Sequence, residues 1–124
     1  MRTLLLMAAC FPAVWAAERP AARNHIVRVV TVSQDGLAKA STDLVAATMK
    51  RLEEAASFRP DIACLPELFT GGQPESVPGP VTERLSRWAR DHSAYVIYGL
   101  KTRTGERVYN SAILLDRQGR VAGQ

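Results

Sequence analysis

The run Ile26-Val27-Arg28-Val29-Val30-Thr31-Val32 is β-branched at six of seven positions. Such side chains are stiff at χ1 and pack well on a pleated surface. The run also lacks the polar alternation of a strand wetted on one side, so it is expected to be a central strand covered on both faces. Downstream, Ser41 or Thr42 can cap a helix that places Leu44, Val45, Thr48, Leu52, Ala55 and Ala56 on one face. Arg59-Pro60 stops that helix, and Asp61 to Leu65 supplies a second buried strand.

The remainder extends this unit. Gly71 to Pro80 is a glycine- and proline-rich loop, and Pro80 suits the first turn of a second helix, where a missing amide costs nothing. Val81, Leu85, Trp88 and His92 then recur at helical spacing. A third strand, Ala94 to Thr102, turns at Thr104-Gly105 into Val108 to Leu115. Arg117-Gln118-Gly119 leads on to Arg120-Val121-Ala122. The order βαβαβββ predicts an α/β fold with a helix-covered mixed β-sheet. No internal repeat or low-complexity tract interrupts it.

Ahead of this region, Arg2 precedes a short apolar run, Leu4 to Trp15, that ends in small residues. This pattern is a secretory signal, expected to be cleaved after Ala16. The run is too short to span a bilayer, and Pro12 argues against a buried helix. The expected organisation is a signal peptide over 1–16, a tether over 17–25 and the N-terminal part of an incomplete α/β domain over 26–124. Secretion or a periplasmic location follows; the alternative is lipid anchoring through Cys10.

Losing Arg2 with the signal leaves 15 basic residues against 12 acidic ones. That balance, with arginines interleaved among acids as at Glu83-Arg84 and Arg90-Asp91, gives no nucleic-acid footprint. Cys64 would stand alone in the processed chain, so no internal disulfide is expected. His25 and His92 lie too far apart for a metal-ligand spacing. No Gly-rich phosphate loop follows either early strand, and no cofactor is expected.

A family resemblance emerges from Asp61-Ile62-Ala63-Cys64-Leu65-Pro66-Glu67-Leu68-Phe69, a strand running directly into Pro-Glu. With Val77-Pro78-Gly79-Pro80 before a helix, Tyr95-Val96-Ile97-Tyr98-Gly99, and Tyr109-Asn110-Ser111-Ala112 leading to Asp116-Arg117-Gln118-Gly119, it resembles the N-terminal half of the nitrilase superfamily of carbon–nitrogen hydrolases. The resemblance implies half of a four-layer αββα sandwich and a Glu-Lys-Cys mechanism acting on a non-peptide amide or nitrile. Glu67 is then the general base and the one catalytic residue present. The lysine and the nucleophilic cysteine are expected beyond Gln124, so these 124 residues alone are expected to be inactive. The full-length protein is expected to be a homo-oligomer working on a small-molecule substrate. The alternative is a truncated, non-catalytic α/β chain that acts through protein–protein association.

Other candidates have blander expected roles. Cys64 lies three residues before Glu67, but regular strand alternation would put the two on opposite faces, and free cysteine is usually packing. His92 is expected to cap a helix or sit half-buried, Asn110 to bond backbone, and Trp88, Tyr95 and Tyr98 to be core aromatics. Gly71-Gly72 can form the lip of a pocket or a plain surface connection. Glu67 itself, flanked by Leu65, Leu68 and Phe69, is expected in an apolar setting. N-terminal sequencing of exported material should begin at Ala17; an intact Met1 on soluble cytoplasmic protein would end the signal reading, and a lipid on Cys10 would favour the anchored form.

Overall fold

The computed structural model describes residues 26–34 and 43–124. The signal segment, the tether, Cys10, and the expected caps Ser41 and Thr42 lie outside the described residues. Element order agrees with the sequence: β1 (Val29–Thr31), α1 (Leu44–Ala56), β2 (Ile62–Cys64), α2 (Pro80–Asp91), β3 (Tyr95–Thr104), β4 (Arg107–Leu115) and β5 (Val121–Gly123). The strands form one sheet in the order β1-β2-β3-β4-β5. The first three run parallel; β3, β4 and β5 are antiparallel neighbours.

Chain order and spatial order coincide, so both helical crossovers step the same way across the sheet. Crossovers of one hand that step in one direction bring their helices to the same face. The buried residues agree, because Ala63, Leu65, Val96, Tyr98, Leu100, Ile113 and Leu115 form one core with Leu52, Val81, Leu85, Trp88 and Ala89 of the helices. Strand alternation turns Cys64, Ile97, Asn110, Ala112 and Leu114 to the opposite face. The described residues put no helix there.

This layout corrects the expectation for the first strand. Among the described residues β1 is the outermost strand and not a central one. Val29 is 57% exposed and Ile26 82% exposed. Apolar continuity signals two covered faces, and here one face and one edge are bare.

Each helix start has an identifiable cause. Asp43 caps α1, its Oδ1 accepting from the Ala46 amide at 2.9 Å. Gln34 ties that helix to the loop after β2, donating to Thr48 Oγ1 at 3.2 Å and to the Phe69 carbonyl at 2.7 Å. At α2, Pro80 opens the helix as expected, but the N-cap Gly79 offers no side chain. A Cβ at Gly79 would lie 2.4 Å from the Ser76 carbonyl oxygen. Glu75 takes over the capping role by accepting from the Val81 amide at 3.2 Å. Burial is the largest influence on its carboxyl and raises its pKa, against the two backbone amides. His92 closes the helix.

Tyr98 is 1% exposed and donates to Thr82 Oγ1 at 2.9 Å, joining β3 to α2. It meets Phe69 edge to face, with centroids 6.1 Å apart and rings at 87°. Burial pushes its phenol from 10.0 up to about 12. Folding therefore favours the neutral phenol. That contribution is intact below pH 10.0 and is lost as the pH climbs toward about 12. Tyr98→Phe should cost about 1 kcal/mol at neutral pH, the typical worth of one hydrogen bond. In chemical denaturation between pH 9 and 12 it should also remove part of the alkaline loss of stability. An unchanged alkaline slope would show that Tyr98 does not carry it.

Candidate active site

The chain leaves β2 at Cys64 and runs on along the edge of β3. Leu65 N donates to the Ile97 carbonyl at 2.8 Å, and Gly99 N donates to the Pro66 carbonyl at 3.4 Å. Further along, Glu75 N donates to the Lys101 carbonyl at 3.1 Å, and Arg103 N to the Glu75 carbonyl at 2.9 Å. Irregular chain thus satisfies the β3 edge where β2 has ended. Leu65 and Phe69 are buried at the two ends of this segment, and Leu68 takes a positive φ of 51°. A non-glycine residue in that region is uncommon, and here it breaks the alternation of a strand. The result leaves Glu67 exposed between two buried anchors.

Gly99 makes the passage possible. A Cβ at that position would lie 2.7 Å from Glu67 Cα, 3.1 Å from Leu68 N and 3.3 Å from Glu67 C. All three are backbone atoms, so no side chain can swing aside. From this support Glu67 reaches β4, where Asn110 Nδ2 donates to Glu67 Oε1. Asn110 pairs with Lys101 across the β3–β4 ladder, on the sheet face without helices.

Glu67 and Asn110 line an open hollow of about 440 Å³, with Leu65, Ile97, Tyr98, Gly99, Ser111 and Ala112 as the other walls. The hydroxyls of Tyr98 and Ser111 turn to the other face, where they bond Thr82 and Thr102, so Glu67 and Asn110 are the polar side chains set among its apolar walls. Such a composition suits a small organic molecule with one polar reacting group. A second hollow of about 680 Å³ adjoins it, sharing Asn110, Ser111 and Ala112 and adding Thr104, Tyr109 and Gln124.

Several expectations change in this setting. Glu67 is exposed and not buried among Leu65, Leu68 and Phe69. Cys64 and Glu67 are not on opposite faces: β2 ends at Cys64, so strand alternation does not run on to Glu67, whose carboxylate reaches Asn110 on the face that Cys64 also shares. Cys64 is half-buried, outside the core, and does not line the hollow. The Asn110 side chain bonds a carboxylate and not backbone. Trp88 and Tyr98 are core aromatics as expected, whereas Tyr95 is half-buried with the Arg117 guanidinium 5.1 Å above its ring. The same arginine meets Asp61 at 3.2 Å. His92 is half-buried, packs on Trp88 at 4.8 Å and lies 3.5 Å from Glu53. Gly71 and Gly72 do not line the hollow; Gly72 lies against the Lys101 side chain.

Among the described residues, no group of three His, Cys, Asp or Glu side chains could hold a metal ion. No helix there is long and apolar enough to cross a membrane.

The chain is similar to known proteins both in sequence and in backbone. A bifunctional nitrilase/nitrile hydratase NIT4A from Nicotiana tabacum is 27% identical over 85% of this chain and 36% of its own length. A bifunctional nitrilase/nitrile hydratase NIT4B from Lupinus angustifolius is 29% identical over 59% of this chain and 29% of its own. The chain thus spans about a third of the length of these relatives. In backbone it is similar to an N-terminal amidase crystallised with an Asn-Glu-Ala peptide, with a TM-score of 0.64 at 20% identity over 78% of this chain and 27% of that one. It is also similar to the amidase from Nesterenkonia sp. AN1 in complex with butyramide, with a TM-score of 0.55 at 20% identity over 77% of this chain and 40% of that one. These likenesses identify the five-stranded sheet and its two helices as half of the nitrilase fold. The sequence profile of the carbon-nitrogen hydrolases matches residues 26–124, from just ahead of β1 through β5, and the chain belongs to that family.

Proposed function

We propose that residues 26–124 supply the general base of an exported hydrolase that cleaves a non-peptide amide or nitrile. The observation that carries this reading is the placement of Glu67: an exposed carboxylate at the end of a parallel strand, braced against Gly99 and bonded to Asn110 beside an apolar hollow. Parallel α/β sheets collect ligand sites at the carboxyl ends of their strands. The rest of the Glu-Lys-Cys set, a cysteine nucleophile and a lysine, would come from sequence outside these 124 residues.

In an amide, the cysteine sulfur would attack the carbonyl carbon while Glu67 takes the thiol proton. A free thiol with a pKa of about 8.5 is mostly unionised near neutrality, which is why a base is needed. The lysine would stabilise the oxyanion. Glu67 would return its proton to the departing nitrogen, and the C–N bond would break to leave a thioester. Water, giving a proton to Glu67, would then attack the thioester and release the acid and the thiol. The nitrilase and amidase names among its relatives support both substrate classes.

A second reading, association through the bare sheet face, is favoured by the exposure of Val29, Ile97 and Val108 on that face. Self-association of the purified chain on size exclusion, with no activity in the full-length protein, would support it.

In the full-length enzyme, Glu67→Gln should keep the fold and lower turnover by the roughly 10²–10⁴ ascribed to general acid–base catalysis. Cys64→Ala should cost about 1 kcal/mol of stability and leave turnover in place. Wild-type rates in the first variant, or inactivity of a well-folded second one, would overturn the assignment. Gly99→Ala should displace the Glu67 backbone. A shift on the order of 1 Å at a reacting group is worth about 10² in rate, so turnover should fall far more than melting behaviour suggests. Unimpaired turnover in Gly99→Ala would remove Gly99 from the account.

A further inference from the structure

We infer that Asn110 is the positioning residue of Glu67: its amide holds Oε1 and leaves Oε2 as the oxygen that takes and returns the proton. This rests on the reading of Glu67 as the base. Glu67 stands out from its backbone between two buried anchors and is exposed, so packing does not fix its side chain. An unrestrained glutamate loses rotamer freedom on reaching a single reactive geometry. A bond from a rigid donor removes that cost in advance. Asn110 is such a donor, because it sits within the nine-pair β3–β4 ladder and its ladder partner Lys101 lies on a strand braced on its other edge by Glu75.

The residue type also fits. The amide donates without carrying charge, so it orients the carboxylate and leaves it basic; a lysine in its place would form an ion pair that competes with proton uptake. An aspartate would repel it. Asn110 further forms part of the wall common to the two adjoining hollows. Glu67 lines the first of them, so a substrate seated there meets Oε2 already aimed.

The test uses the full-length enzyme and compares Asn110→Ala with Asn110→Leu, which keeps the bulk and removes the donor. Both should lower kcat about tenfold to a hundredfold with KM within about twofold, since the loss is in orientation and not in binding. Combined with Glu67→Gln, Asn110→Ala should cause no further loss, because a residue that acts only through the base has nothing left to act on. If that background is too slow to measure, Glu67→Asp replaces it; its carboxylate falls one methylene short of Asn110, and Asn110→Ala should then cost less than in the wild type. An equal loss in both backgrounds would make Asn110 structural, and an unchanged kcat in the single variants would remove its role. Wild-type turnover in Glu67→Gln would overturn the base assignment and this inference together, whereas an inactive Glu67→Gln with fully active Asn110 variants would overturn this inference alone.

Discussion

The missing side chain at residue 99 sets the geometry of everything around Glu67. The strap from Leu65 to Phe69 runs along β3 closely enough that any Cβ at that point would enter the backbone of Glu67. Backbone hydrogen bonds from Leu65 and to Pro66 hold the strap in place, and the buried side chains on either side keep it taut. The carboxylate is thereby delivered to a fixed point above the sheet. A larger residue would not merely crowd the site; it would lift the whole crossing.

Direction matters as much as closeness. Because β1, β2 and β3 are laid down in spatial order, both helices fall on one side, and the core fills there with Leu52, Leu85, Trp88 and their partners. Glu67 and Asn110 meet on the opposite side. Packing and chemistry are thus divided between the two faces of a single sheet. The residues that stabilise the fold through helix packing, Tyr98 with Thr82 above all, do so without occupying the space where a reacting molecule would sit.

Much of this was legible in the sequence because its causes are local. Pro80 opening a helix, the stripe through Val81, Leu85 and Trp88, and the tight turn at Gly105 all depend on residues a few positions apart. Glu67 could be singled out because a strand runs straight into Pro-Glu. What could not be read was long-range or against the local pattern. The bond from Asn110 to Glu67 spans 43 residues, and only the β3–β4 register brings its ends together. Alternation misplaced Glu67 relative to Cys64 because the strand ends at Cys64 and the chain between the two is no longer regular. Apolar continuity misjudged β1, since it reports what a strand could bury and not where in the sheet it falls. The Glu75 cap was hidden for a similar reason, lying five residues before the start of a helix whose own N-cap is bare.

Tyr98 and Gly99 are consecutive, and their neighbours lie on opposite sides of the sheet. One peptide plane therefore separates the helix-side core from the support of the Glu67 carboxylate. A sheet one residue thick has no slack to absorb a disturbance on either side. Substitutions around Thr82 or Phe69, remote from any substrate, will shift β3 and with it the height of Glu67. In a mutational survey scored by turnover, such positions will be mistaken for active-site residues unless abundance is measured in parallel.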